Sequence, residues 1–253
     1  MKEINLPTVK KAYARDGFVF IPGFVEPEML KRIQEELKTF IREEVPVMPA
    51  QFVFYEDKRD PATLKQLQDM HRYSLFFDRL LKESRFSEMA EALLGESVIP
   101  QNLEYFNKPC KTGKPTPAHQ DGFYFMLNPP QAVTMWMALE KADQENGCVR
   151  YIPGSHTRGM RRHGRTATLG FSQGIVDYRE EDFAKEIPLP AEPGDLLIHH
   201  AMTIHRADGN QSNRSRRALG FIYFGASAQE DTEAKEAYQQ KLRAERTEGQ
   251  AAG

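Results

Sequence analysis

The sequence predicts an α+β protein in which helices come first and a β-sandwich or barrel follows. Three observations carry this. The first hundred residues show the apolar spacing of amphipathic helices. From Val98 onward the pattern changes to short apolar or aromatic runs separated by Gly, Pro, Asn and Asp clusters. The two kinds of element occur in blocks, which places the helices on one face of the sheet system. At 253 residues the chain can bury one sizeable core. The expected organisation is a single domain over 1–253: about 1–97 mainly helical, about 98–225 the β core, about 229–253 a charged helix and tail.

The elements follow in order. "DGFVFIPGF" is a short strand between turn residues. "EPEMLKRIQEELKTFIREEV" sets Met29, Leu30, Ile33, Leu37 and Ile41 on one stripe, with Pro27 in the first turn. "DPATLKQLQDMHRYSLFFDRLLKESRFSEMAEALLG" predicts two or three further helices, the last stopped by Gly95. Six strands are then expected, in "VIPQNLEYFNK", "AHQDGFYFML", "AVTMWMALE", "GCVRYIP", "DLLIHHAM" and "RRALGFIYF". No internal repeat is present.

The net charge of −2, with both signs mixed throughout, argues against a general binder of nucleic acid or membrane surfaces. Two cysteines, Cys110 and Cys148, are too few for a disulfide framework. The N-terminus lacks the pattern of a signal peptide, and no apolar run reaches the ~18 residues of a membrane span. A cytoplasmic protein is expected, so the Asn-x-Ser sequons at Asn210 and Asn213 are read as accidental.

"TPAHQDGFYF" carries the first chemistry. In an extended strand, residues i and i+2 share a face roughly 6.5–7 Å apart, so His119 and Asp121 can converge on one ion. Alone, the pair is equally a surface pair on a loop. A third ligand is available from His199, His200 or His205 in "GDLLIHHAMTIHRADG". The first two are strand neighbours that face opposite ways. Two histidines and a carboxylate form the facial set of non-haem Fe(II) oxygenases. Arg216, eleven residues after His205, opens the next strand, where a buried guanidinium suits a dicarboxylate.

"HQD", "MWMALEKADQENGCVRYIPGSH", "GDLLIHH…H" and "GNQSNRSRRAL" together resemble the phytanoyl-CoA dioxygenase family of Fe(II)/2-oxoglutarate oxygenases, in order and spacing from about 98 to 224. "YARDGFVFIPGF" is similar to that family's entry strand. The resemblance implies a double-stranded β-helix, the cupin-like jelly roll. It implies His119, Asp121 and His205 as the Fe(II) ligands and catalytic centre, and Arg216 as the 2-oxoglutarate anchor. Trp136, the one tryptophan, would stand beside the cosubstrate. The family's pocket strand aligns with "QNLEYFN", whose Gln101, Leu103 and Tyr105 share a face by alternation. That makes Leu103 a candidate cosubstrate contact, and Gln101 and Tyr105 candidate substrate contacts.

His156, in a Gly turn, is read as structural, and Arg217 as an ion-pair partner on the face opposite Arg216. Arg158, Arg161, Arg162, His163 and Arg165 lie in a loop near the expected pocket mouth, where Arg161 and Arg162 could meet an anionic substrate. The activity implied is hydroxylation of an unactivated C–H bond of a small molecule, with O2 and 2-oxoglutarate consumed and succinate and CO2 released. An aspartate at 121 favours this over halogenation, for which related enzymes carry a small residue there. The alternative is a jelly-roll metal-binding protein that is non-catalytic or independent of 2-oxoglutarate. The sequence leaves substrate identity and oligomeric state open.

Overall fold

Asn5 starts the first helix by accepting a hydrogen bond from the Thr8 N–H, and Gly17 ends it in the left-handed conformation at φ 80°. A side chain at Gly17 would also collide with His156 Nδ1, so the site needs glycine twice over. The computed structural model describes residues 4–168, 171–238 and 240. Helix α1 (Leu6–Asp16) leads into strand β1 (Phe18–Ile21) and helix α2 (Pro27–Glu43), which buries Ile33, Leu37 and Phe40.

Two short strands follow, β2 (Val53–Tyr55) and β3 (Leu64–Leu67). Then come α3 (Leu75–Lys82), capped by Ser74, and α4 (Arg85–Leu94), capped by Ser84 and closed by Gly95. Next are β4 (Val98–Lys108), β5 (Thr116–His119), a single turn α5 (Gly122–Phe125), β6 (Leu127–Asn128) and β7 (Ala132–Ala138). The remainder is β8 (Val149–Tyr151), β9 (His163–Thr168), β10 (Phe171–Ile175), α6 (Glu180–Phe183), β11 (Ile187–Leu189), β12 (Leu196–His200), β13 (His205–Ala207), β14 (Arg216–Gly225) and β15 (Gln229–Glu230). Residues 232–238 are helical; the rest of the expected charged tail lies outside the described residues, apart from residue 240.

A seven-stranded sheet runs β1-β12-β7-β14-β4-β3-β2 and a four-stranded sheet runs β11-β8-β13-β5, all pairs antiparallel. Of the two or three helices expected between Asp60 and Gly95, two form, α3 and α4. Ahead of them Leu64–Leu67 forms β3 between β4 and β2, because Leu64 and Leu67 reach the common core from that position. Tertiary burial there outweighs helix propensity.

Alternation divides the large sheet into two faces. Leu103 and Tyr105 on β4, Val133, Met135 and Met137 on β7, and Leu219, Phe221 and Tyr223 on β14 turn outward. They pack under α2–α4 with Ile33, Leu37, Phe77, Leu81 and Phe86. Phe86 stacks on Phe221 with centroids 3.9 Å apart. Each such side chain contributes about 1.5–3 kcal/mol by leaving water. The helices therefore cover one face, as predicted. The other face looks toward the small sheet, and between them lies the cavity.

Candidate metal centre and cosubstrate pocket

His119 ends β5 and His205 begins β13, and the two are direct partners in the antiparallel register of these strands. Cross-strand pairing therefore brings together two histidines 86 positions apart, with ring centroids 4.2 Å from each other. Asp121 arrives differently from the expected alternation. Its φ of −59° and ψ of −33° are helical, because the chain leaves β5 at Gln120 and turns into α5. The aromatics of "GFYF" thus belong to a helical turn and not to a strand. The turn carries Asp121 Oδ1 to 3.4 Å from His119 Nε2 and 3.6 Å from His205 Nε2. One ligand atom from each of the three lies within 4.8 Å of the others.

The neighbouring groups fix how these side chains are presented. His119 Nδ1 donates to the Pro117 carbonyl at 2.8 Å and His205 Nδ1 to the Thr203 carbonyl at 3.1 Å. Each ring then turns an Nε2 lone pair inward, the tautomer that a metal ligand needs. Asp121 Oδ2 accepts from Thr134 Oγ1 at 2.6 Å and from His199 Nε2 at 3.0 Å. His199 Nδ1 in turn accepts from the Tyr151 hydroxyl at 3.0 Å. Oδ1 is left for the centre.

Burial works to raise the Asp121 pKa, but the histidines around it, His205 first and then His119 and His199, outweigh it and hold the carboxyl well below its usual range. Burial, then His119 and His199, push His205 well below 6.5. A carboxylate and a neutral imidazole are the protonation states that bind a cation. Gln120, fully buried between the two ligands, braces the turn. It donates to the carbonyls of Gly159 and Met202 and accepts from the Arg161 N–H.

Elsewhere in the same cavity stands Arg216, 4 % exposed, its guanidinium 5.2 Å from the Trp136 ring. Among the described residues its Nε meets no acceptor, and burial lowers its pKa to about 10. Lys108, its partner across the β14–β4 register, is also buried and donates to the Lys114 carbonyl. A buried guanidinium without a counterion is costly, so this end of the cavity is built for an anion. Arg217 faces away and pairs with Glu140.

The cavity measures about 230 Å³. Of the residues singled out from the sequence, it gathers His119, Asp121, His205, Arg216 and Trp136. Leu103 and Tyr105 do not line it: both point into the helix-side core, at 0 % and 2 % exposure. Gln101 is the extra residue of a bulge, for the register runs from Ile222↔Asn102 to Tyr223↔Pro100. The inward set on β4 is the complementary one, Glu104, Phe106 and Lys108.

Arg161 and Arg162 also lie off the cavity wall. Arg161 is neutralised by Asp177 at 3.0 Å and Asp182 at 2.9 Å, and Arg162 is exposed. Arg158 and Arg165 are exposed too, whereas His163 accepts from the Gln120 N–H and stacks on Phe123. His156 packs beside His200, behind β12, and His200 faces away from the cavity as its neighbour faces in.

His199, Thr134, Lys108 and Glu104 were not assigned from the sequence. Alternation from Trp136 gives Thr134, and alternation from Arg216 through the β14–β4 register gives Lys108. That register exists only in the folded sheet.

Residues 13–218 match the family described as phytanoyl-CoA dioxygenase (PhyH). Peroxisomal phytanoyl-CoA dioxygenase of Mus musculus is 29% identical over 235 residues, covering 86% of this chain and 68% of that one. The phytanoyl-CoA dioxygenase domain-containing protein 1 of Danio rerio is 34% identical over 159 residues, 60% of this chain and just over half, 54%, of its own. Among solved structures, the epimerase SnoN in complex with Fe3+, alpha ketoglutarate and nogalamycin RO superposes with a TM-score of 0.71 at 25% identity. That match covers 88% of this chain and 84% of SnoN. EctD from S. alaskensis with 2-oxoglutarate and 5-hydroxyectoine superposes at 0.71 and 18% identity over 88% and 77% of the two chains, a likeness of fold.

Proposed function

The chain belongs to the phytanoyl-CoA dioxygenase family, and on that premise we propose that it is an Fe(II)/2-oxoglutarate-dependent dioxygenase that hydroxylates a small molecule. One observation carries the reading: a His/Asp/His set and an unpaired buried guanidinium share one cavity. The residues fit the groups. His119, Asp121 and His205 would hold Fe(II) as two neutral imidazoles and a carboxylate, and Arg216 would pair with the distal carboxylate of 2-oxoglutarate.

When bound, the iron couples oxidative decarboxylation of 2-oxoglutarate to insertion of one oxygen atom of O2 into a substrate C–H bond, leaving succinate and CO2. The chain's own contribution is positioning. Thr134 and His199 hold Asp121 by one oxygen, and the Tyr151 hydroxyl fixes the His199 tautomer. Trp136 and Arg216 orient the cosubstrate by ring contact and charge. Ile222, Tyr124 and Phe125 supply an apolar wall that keeps water from the reacting centre.

A metal-binding protein independent of 2-oxoglutarate would leave Arg216 buried without a counterion, which argues against that alternative. A cavity of about 230 Å³ is smaller than the usual small-molecule site of roughly 300–1,000 Å³. It suits a compact substrate better than a long acyl thioester. The unpaired Cys110 and Cys148 suit the reducing cytoplasm. Among the described residues no helix is long and apolar enough to cross a membrane.

The test is succinate release from 2-oxoglutarate across a metabolite panel, with His119→Ala as control. Alongside it, Mn(II) and 2-oxoglutarate should together raise Tm. No shift, and an Arg216→Ala variant indistinguishable from wild type, would overturn the assignment.

A further inference from the structure

Glu104 projects from β4 into the cavity, where a carboxyl group is unexpected. It is 7 % exposed. By register it lies opposite Gly220, which lies opposite Trp136, so all three share one rung of the inner face. Gly220 contributes no side chain, and the Phe106 ring takes the space over it, 2.5 Å from where a Cβ would stand, so Phe106 packs on the rung beside Glu104. Glu104 Oε1 accepts from Asn102 Nδ2 at 2.7 Å and Oε2 from Gln66 Nε2 at 3.3 Å. Two neutral amides hold the group in place, and neither supplies a charge.

No cation among the described residues pairs with it. Of the lysines and Arg206 that share the cavity, Lys114 is exposed and the others are committed elsewhere. Lys65 pairs with Glu56, Arg206 with Glu186 and Asp208, and Lys108 donates to the Lys114 carbonyl. Arg216 stands four residues before Gly220 along β14, opposite Lys108. The carboxyl instead feels Asp121 and Asp69, two further negative charges. Burial first, and those charges second, raise its pKa to about 8.

A buried carboxylate is retained at low cost only when a positive charge meets it. An ammonium group lets the carboxyl give up its proton and cancels the charge that results, whereas a hydroxyl donor leaves that charge unmet. From this geometry we infer that Glu104 is the substrate-recognition residue of this enzyme, and that its substrate carries a protonated amine which Glu104 receives while Gln66 and Asn102 hold the carboxylate. The inference rests on the oxygenase reading for what happens next, but the binding it describes does not need turnover. Glu104 lines the same cavity as Thr134 and the metal ligands, so a substrate whose basic nitrogen it receives lies in the cavity that holds the metal centre.

The experiment is calorimetric titration with pairs of amines and their alcohol isosteres: butylamine against butanol, benzylamine against benzyl alcohol, cyclohexylamine against cyclohexanol. Each pair is run with the free protein and with the protein loaded with Mn(II) and 2-oxoglutarate. Wild type should favour the amines by about tenfold or more, the scale of one charge-assisted hydrogen bond. Glu104→Gln should remove that preference. Equal affinity for amine and alcohol in wild type, or a preference that survives in Glu104→Gln, overturns the inference. Should the variant fold poorly, the wild-type comparison decides by itself. Failure of 2-oxoglutarate to bind would sink the oxygenase reading and leave the amine comparison standing, because it reads binding alone.

Discussion

Replacing Glu104 by Gln should flatten the dependence of stability on pH. The carboxyl moves from 4.5 to about 8 on folding, chiefly through burial. Between those values the folded chain keeps a proton that the unfolded chain has released. The contribution to stability is therefore fully present below pH 4.5 and is lost as pH rises through about 8. At roughly 1.4 kcal/mol per pH step, the loss sums to about 5 kcal/mol as an upper figure.

Gln has no proton to lose there, and the site can receive it. Asn102 keeps its acceptor, and Gln66 can turn its amide so that Oε1, which now meets no donor, accepts from the new NH2 group. The assay is urea unfolding of metal-free wild type and variant at several pH values from about 5 to 8. Wild type should lose several kcal/mol relative to Glu104→Gln across that range. With Mn(II) bound beside Asp121 the loss should shrink, since one of the charges raising Glu104 is then offset. Parallel profiles for the two proteins would refute the reasoning.

His199→Leu removes one of the two donors that hold Asp121 Oδ2 and should weaken Mn(II) binding about 10–100-fold, read by calorimetry, while the fold survives by circular dichroism. Arg216→Ala should abolish the rise in Tm given by 2-oxoglutarate and keep the part given by Mn(II) alone. Leu103→Ala should cost about 2–5 kcal/mol in urea unfolding and leave the KM for 2-oxoglutarate unchanged, because Leu103 faces the helices. Arg161→Gln breaks ion pairs at the loop surface and should change stability by about 1 kcal/mol or less, with no change in substrate preference.

Much of the site was legible in the chain. His119, Asp121, His205 and Arg216 stand in motifs whose residue types and spacing already suit a metal and a dicarboxylate, and the structure brings them to one cavity. The helices over α2–α4 and the strands from Val98 were legible because hydrophobic period differs between them. Two elements were not. The segment at β3 carries helix-compatible residues and becomes a strand only because β4 offers an edge and the core accepts Leu67. Asp121 meets the histidines through a helical turn that the aromatic run after it concealed.

The sequence alone determined which residues could ligate and, apart from β3, the α5 turn and the bulge at Gln101, which blocks were helix or strand and which side chains along a strand share a face. It could not determine which face that was. A period of two is identical for both faces, and on β4 both are buried from Leu103 to Tyr105, so hydrophobicity does not choose between Leu103 with Tyr105 and Glu104 with Phe106. Pairing with β14 and docking of the helices made that choice. They turned the apolar pair into the core and left a carboxyl group facing the cavity.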